Sequence, residues 1–340
     1  MRMCLQSRMT ASQVGYGSLH YTRSMQGVQI LLTLSTSAAI VAEPANEIGG
    51  LQMKDISNRD YHESPGISAS WLKMLASKTP RHVWRKYIDP NRVTMDLAQK
   101  KALKVGRLVH TLALEPEKFA DDFIVVDNEI NRKSKDGKAF LDELDRGEKC
   151  WVYEKAVQEA KPIVDAIVSD PDFIAMRKHR HVNEKSFFWD DQDFGLACRF
   201  RPDTLVFPCE EYPHGAVLDL KTSRDASPVW FGRFFFNLGY HIQAAHYAVG
   251  AMQVFGTDEP PLVVFEVVET EDPYLTKCYK VMPDVLEFGF SERVRLLELA
   301  AGCFETGIWP GYEGDMIVPA WIRREMEESG EIEVEFVEQE

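Results

Sequence analysis

From residue 53 onward, hydrophobic positions recur first at helical and then at strand spacing. Trp71, Leu72 and Leu75 follow Ser68-Ala69-Ser70, so Ser68 or Ser70 caps a helix that stops before Pro80. A second helix is predicted over 95–114, with Leu97, Ala98, Leu108, Val109 and Leu112 as its apolar side and Pro116 beyond its end. The stretch 136–167 reads as helix with a break near Gly147. The period then falls to two. Aromatic and β-branched residues alternate over 185–190 and 196–207, and Asp191-Gln192-Asp193-Phe194-Gly195 between them predicts a hairpin. Further along come a strand at 216–222, a long helix at 228–255, strands at 262–269 and 277–282, and a helix at 283–305. Helix, three strands, helix and two strands is an α/β order: a central mixed β-sheet flanked by helices.

The ends of the chain are different in kind. Residues 1–52 are rich in Ser, Thr, Gln and Gly, with one apolar run at 28–41 that is too short to span a bilayer. Arg2, Arg8 and Arg23 precede that run as in a signal peptide, but the polar stretch before it is too long for one. The expected organisation is a poorly ordered leader at 1–52, a folded domain at 53–310 and an acidic tail at 311–340.

Composition narrows the class. With 45% hydrophobic and 27% charged residues, 340 residues suffice to bury one large α/β core. A net charge of −14 excludes a uniformly basic coat for nucleic acid, yet eight of the acids and no base lie between Glu325 and Glu340. Local basic stretches remain at Lys100, Lys101, Lys104 and Arg107, at Arg132 to Lys138, and at Arg177 to Arg180. The six cysteines form no Cys-x-x-Cys pair, so spacing indicates neither a zinc site nor a disulfide framework, and a cytoplasmic setting is expected.

The densest chemical signal is Asp219-Leu220-Lys221-Thr222. On a strand Asp219 and Lys221 project to one side with Val217, while Leu218 and Leu220 face the other. A lone Asp-x-Lys also suits a solvated ion pair at a sheet edge. Four companions change that balance. Arg201-Pro202-Asp203 ends the preceding strand, where a turn presents Asp203 beside Asp219; Gly106 and His110 share a helix; Glu184 opens the hairpin; and Gln243 and Tyr247, four apart, share a helix face.

Taken in order, Gly-x-x-x-His, Glu, Arg-Pro-Asp, Asp-Leu-Lys-Thr and Gln-x-x-x-Tyr resemble the RecB-like nucleases of the PD-(D/E)xK superfamily. Tyr61-His62-Glu63-Ser64-Pro65-Gly66-Ile67-Ser68-Ala69-Ser70, followed by Trp71-Leu72-Lys73, is similar to the opening of the RecE (exonuclease VIII) branch. The literal Pro-Asp arrives only as Pro202-Asp203, because Leu218 stands three before Lys221. The resemblance implies a restriction-endonuclease-like core and a metal-dependent exonuclease for linear double-stranded DNA, working 5′-to-3′ in recombination. It implies His110, Asp203, Asp219 and the carbonyl of Leu220 as metal ligands, and Lys221, Asp219, Asp203 and Glu184 as catalytic residues. Gln243 and Tyr247 are expected to position DNA or Lys221, and Arg107, Ser68 and Ser70 to bind or position DNA. Magnesium, or manganese, is the expected ion, since hard oxygen ligands suit both. The expected partners are double-stranded DNA ends, a single-strand annealing protein of the RecT kind and further copies of the chain in a ring, with no membrane. A structure-specific or restriction-type endonuclease and a non-catalytic DNA-binding recombination protein are the alternatives on the same core.

Overall fold

The computed structural model describes residues 19–24, 27–32, 47–48, 51–92, 101–147, 149–314 and 320–329. At its centre is a five-stranded sheet in the order Thr276–Lys280, Leu262–Glu269, Ala216–Ser223, Thr204–Val206, His181–Asn183. Ala216–Ser223 and Leu262–Glu269 run parallel and the other pairs antiparallel, so the sheet is mixed. Parallel neighbours cannot be joined by a tight turn. Here helices Pro228–Asn237 and Tyr240–Phe255 make the crossover.

Residues 216–220 and 263–268 are buried without interruption, as suits strands covered on both faces. Val217, Val263, Phe265 and Val267 face a core shared with helices Ala69–Ser77, Tyr240–Phe255 and Pro283–Thr306. Leu218, Leu220, Val264 and Val268 pack with helices Lys101–Leu114 and Glu154–Ser169. The period of two therefore sorts the central strand between two helical layers, leaving Asp219 and Lys221 on the first face.

A second, antiparallel sheet holds Glu47–Ile48, Leu51–Lys54, Ser186–Asp191 and Leu196–Phe200. The chain leaves the first sheet after Asn183, runs through this hairpin and returns at Thr204. It turns at Glu184, in the left-handed region at φ 50°, and at Arg201-Pro202-Asp203. The two turns are tied together, since the Glu184 amide donates to the Asp203 carbonyl at 3.2 Å.

Three elements differ from their predicted form. The strand expected over 196–207 ends at Phe200, and Thr204–Val206 belongs to the other sheet. Pro202, which has no N–H to donate, marks the switch. The helical stretch 136–167 contains a strand, Cys150–Tyr153, between helices Lys135–Leu144 and Glu154–Ser169; it pairs in parallel with Phe123–Val126. The helix expected over 228–255 is two helices separated at Gly239, whose φ of 67° breaks the run.

Of helix 95–114, Lys101–Leu114 is described, and residues 93–100 lie outside the described residues. Within 1–52, Leu19–Ser24 and Gly27–Leu32 form an antiparallel hairpin that takes up the start of the apolar run, and the remainder of that run lies outside the described residues. Met53 pairs with Phe187, so the expected boundary at 53 falls inside a strand. In the tail, Ala320–Ser329 is a helix and residues 330–340 lie outside the described residues. No described helix is long and apolar enough to cross a membrane.

Candidate active site

The two sheet-switching turns place Glu184 and Asp203 together, and helix Lys101–Leu114 brings His110 to them. Leu108 and Val109, fully buried on that helix, lock its rotation. His110 Nδ1 then lies 3.4 Å from Asp203 Oδ2 and 3.8 Å from Glu184 Oε1. One ligand atom from each of the three residues falls within 4.8 Å of the others, the single such group of His, Cys, Asp or Glu among the described residues. Burial opposes a charge on His110, but Asp203 and then Glu184 outweigh it and lift its pKa to about 10. Burial likewise acts to raise Asp203, yet His110, Lys221 and the Leu220 amide hold its carboxyl below the ordinary range. That amide donates to Asp203 Oδ2 at 2.6 Å. In this state the imidazolium is the counter-cation of two carboxylates. An imidazole nitrogen with carboxylate oxygens is a donor set that fits a divalent metal ion.

A second group adjoins the first across one residue of strand. Lys221 forms an ion pair with Asp219 Oδ2, a buried atom with no hydrogen-bond partner besides that contact. Gln243 Nε2 donates to Asp219 Oδ1 at 2.6 Å, and Lys73 Nζ donates to Gln243 Oε1 at 2.7 Å. Burial pushes Asp219 up, against the pull of Lys221, with the charge of Asp203 adding to the rise. Burial acts against the charge of Lys221 as well, but Asp219 and Asp203 prevail and hold it above the ordinary lysine range, so it is an ammonium. Lys73 goes the other way: burial, with the charge of Lys221 adding, lowers it to about 8.

The remaining predicted residues divide. Leu220 meets Asp203 through its N–H, and because a strand residue directs N–H and C=O to the same edge, its carbonyl faces the same side. Asp219 is turned to Gln243 and Lys221, so the converging trio contains Glu184 where Asp219 was expected. Tyr247 shares a helix face with Gln243 and donates to the Arg201 carbonyl at 3.0 Å, pinning the turn that carries Asp203. Ser68 is buried as the helix cap, accepting from the Trp71 amide at 3.3 Å, which corrects its expected place on a DNA-facing surface. Ser70 is exposed. Arg107 stands 3.8 Å from Asp122 and over the Phe123 ring. Lys73 and Tyr240, whose ring lies under both lysines, were not predicted. Lys73 follows two apolar residues in its helix, and nothing local sets it apart from a surface lysine.

A family model described as "PDDEXK-like domain of unknown function (DUF3799)" matches residues 68–317. The chain belongs to this family. The match takes in His110, Glu184, Asp203, Asp219, Lys221, Gln243 and Lys73, so every element of the site lies inside the PDDEXK-like domain. Its mixed sheet flanked by helices is the fold of that domain in this chain. Among solved structures, one described as a "Putative exonuclease" from Eubacterium rectale is 16% identical, with a TM-score of 0.49, covering 82% of this chain and 100% of that one. Another, SSO0001, is 11% identical with a TM-score of 0.27, covering 61% of this chain and 89% of that one. No curated protein matches the sequence.

Proposed function

We propose that this PDDEXK-like protein is a metal-dependent exodeoxyribonuclease that hydrolyses linear double-stranded DNA. The carrying observation is that Asp203 belongs to both halves of the site: its Oδ2 faces His110 and also accepts from Leu220, the residue between Asp219 and Lys221. A group able to hold a divalent cation, carried by a helix and two turns, and an obligate ammonium on the central strand are thereby set against one another. His110, Glu184 and Asp203 would hold the cation, with Asp219 and the Leu220 carbonyl beside it. The ion supplies Lewis acidity toward the phosphoryl oxygens and a more acidic water.

The chain's own part follows from its charges. Lys221 is held protonated by two carboxylates, so it orients water and balances the negative charge that develops on phosphorus oxygens, and it does not accept the proton. Asp219 fixes the lysine in place, and Gln243 fixes Asp219. The RecE-like opening at 61–73 supports 5′-to-3′ digestion with magnesium or manganese, a ring of copies around DNA, an annealing partner of the RecT kind and a cytoplasmic setting.

The test is digestion of end-labelled linear duplex beside a covalently closed circle, with magnesium and with calcium as the non-supporting ion. The linear substrate should be degraded from its ends and the circle left intact. Lys221→Ala, folded by thermal melting, should lose on the order of 10²–10³ in single-turnover rate while DNA affinity stays near wild type. Cutting of the circle would make the protein an endonuclease, and absence of any metal-dependent cleavage would make it a DNA-binding protein on this fold.

A further inference from the structure

We propose that Lys73 is a positioning residue of this site, orienting the Gln243 side-chain amide and, through it, the Asp219 carboxylate that pairs with Lys221. The proposal rests on the nuclease reading for its consequence in rate, though not for its geometry.

The two ends of a glutamine side-chain amide are nearly equal in shape, so its orientation is set by its partners. Gln243 is buried and has two of opposite kind. An ionised carboxylate only accepts, so Asp219 requires the NH2 end; an ammonium only donates, so Lys73 requires the oxygen. Both demands select the same orientation. Lys73 is built into place for this. Leu72 and Leu75 bury its helix, Ala69–Ser77, on the core, and its stem runs against Gly239, where a Cβ would come within 3.0 Å of Lys73 Cγ. Among the described residues it has no carboxylate within ion-pair distance, so a salt bridge does not account for its position.

Without Lys73 the buried oxygen of Gln243 loses its donor, and the ammonium of Lys221 is held on the other oxygen of the same Asp219 carboxylate that Gln243 binds. Lys221 stands 5.2 Å from the centroid of the Tyr240 ring over which Lys73 lies at 4.9 Å. Turning toward that donor, Gln243 competes with Asp219 for Lys221. The lysine is then misplaced for its charge-balancing role without any loss of DNA contact.

A double-mutant cycle separates this from a direct role. Lys73→Met keeps the stem and removes the charge. It should lower single-turnover cleavage by between about tenfold and 10²-fold at unchanged DNA affinity, the scale on which a displaced catalytic group acts. In a Gln243→Ala background the same substitution should cost nothing further, and Lys73→Arg should restore part of the rate. If Lys73 touched a DNA phosphate, the two penalties would multiply and affinity would fall with a shallower salt dependence, which overturns the proposal. A folded Lys73→Met protein with wild-type turnover overturns it equally. A readout independent of cleavage is solvent exchange of the Gln243 side-chain amide protons by NMR. Protection should fall in Lys73→Met, and unchanged protection counts against the positioning role. If the wild-type protein cleaves no DNA, the nuclease reading fails while this measurement still decides the role of Lys73.

Discussion

His110 shows how charge decides what this site holds. Its pKa near 10 reflects Asp203 and Glu184 prevailing over burial, so near neutral pH the metal-free protein carries an imidazolium between two carboxylates. A metal-binding imidazole is neutral, and binding therefore releases that proton. Apparent affinity for magnesium or manganese should rise with pH, approaching tenfold per unit below about pH 10. Calorimetric titrations in buffers of different ionisation enthalpy should report about one proton released per ion; release of none would remove His110 from the ligand set. The same shift has a sign for stability. The folded value exceeds the unfolded one of about 6.5, so the contribution of His110 to the metal-free fold is complete below that pH and is lost as pH rises through about 10. The types and spacing of His110, Glu184, Asp203, Asp219 and Lys221 were legible in the sequence. The exchange of Asp219 for Glu184 in the converging trio was not, because it depends on a turn at positive φ that aims Glu184 inward.

Among the elements, the break at Gly239 matters more than its size suggests. It ends one helix, begins the next at the angle that delivers Gln243 to Asp219, and leaves room for the stem of Lys73. Gly239→Ala places a side chain in the left-handed region, at a cost of roughly 1–2 kcal/mol, and presses its Cβ on Lys73. Denaturant unfolding should register that loss, and cleavage should fall as well, since the disturbance reaches Lys73 and Gln243; an unchanged rate would show the break to be merely a connection. Periodicity alone read one helix here because apolar residues continue through the break, Phe231, Phe235 and Ile242 all packing into one core. The four residues of Cys150–Tyr153 were absorbed into flanking helix for a related reason: a strand that short shows too few alternations to be told from a turn of helix.

At the scale of the whole molecule, the site exists because one chain serves two sheets. The hairpin Ser186–Phe200 carries Glu184 at one root and Asp203 at the other, and its outer edge is covered by Leu51–Lys54 through Met53 and Lys54. A chain beginning at residue 49 keeps that cover and should melt and cleave close to the full-length protein. One beginning at residue 55 strips the edge of Ser186 and Phe187, and should melt lower and tend to associate through the bared strand. Equal melting of the two would show that the covering strand contributes nothing. What the sequence by itself determined was the alternation that buries Val217 and Leu218 on opposite faces, the caps and breakers, and the order of chemical groups, since each is written in neighbouring residues. Only the tertiary structure decided that Thr204–Val206 leaves the sheet of Leu196–Phe200, and that Lys73 meets Gln243 170 positions away. Such pairings are made when separate elements close on a shared core, and no local period records which partner an element will find.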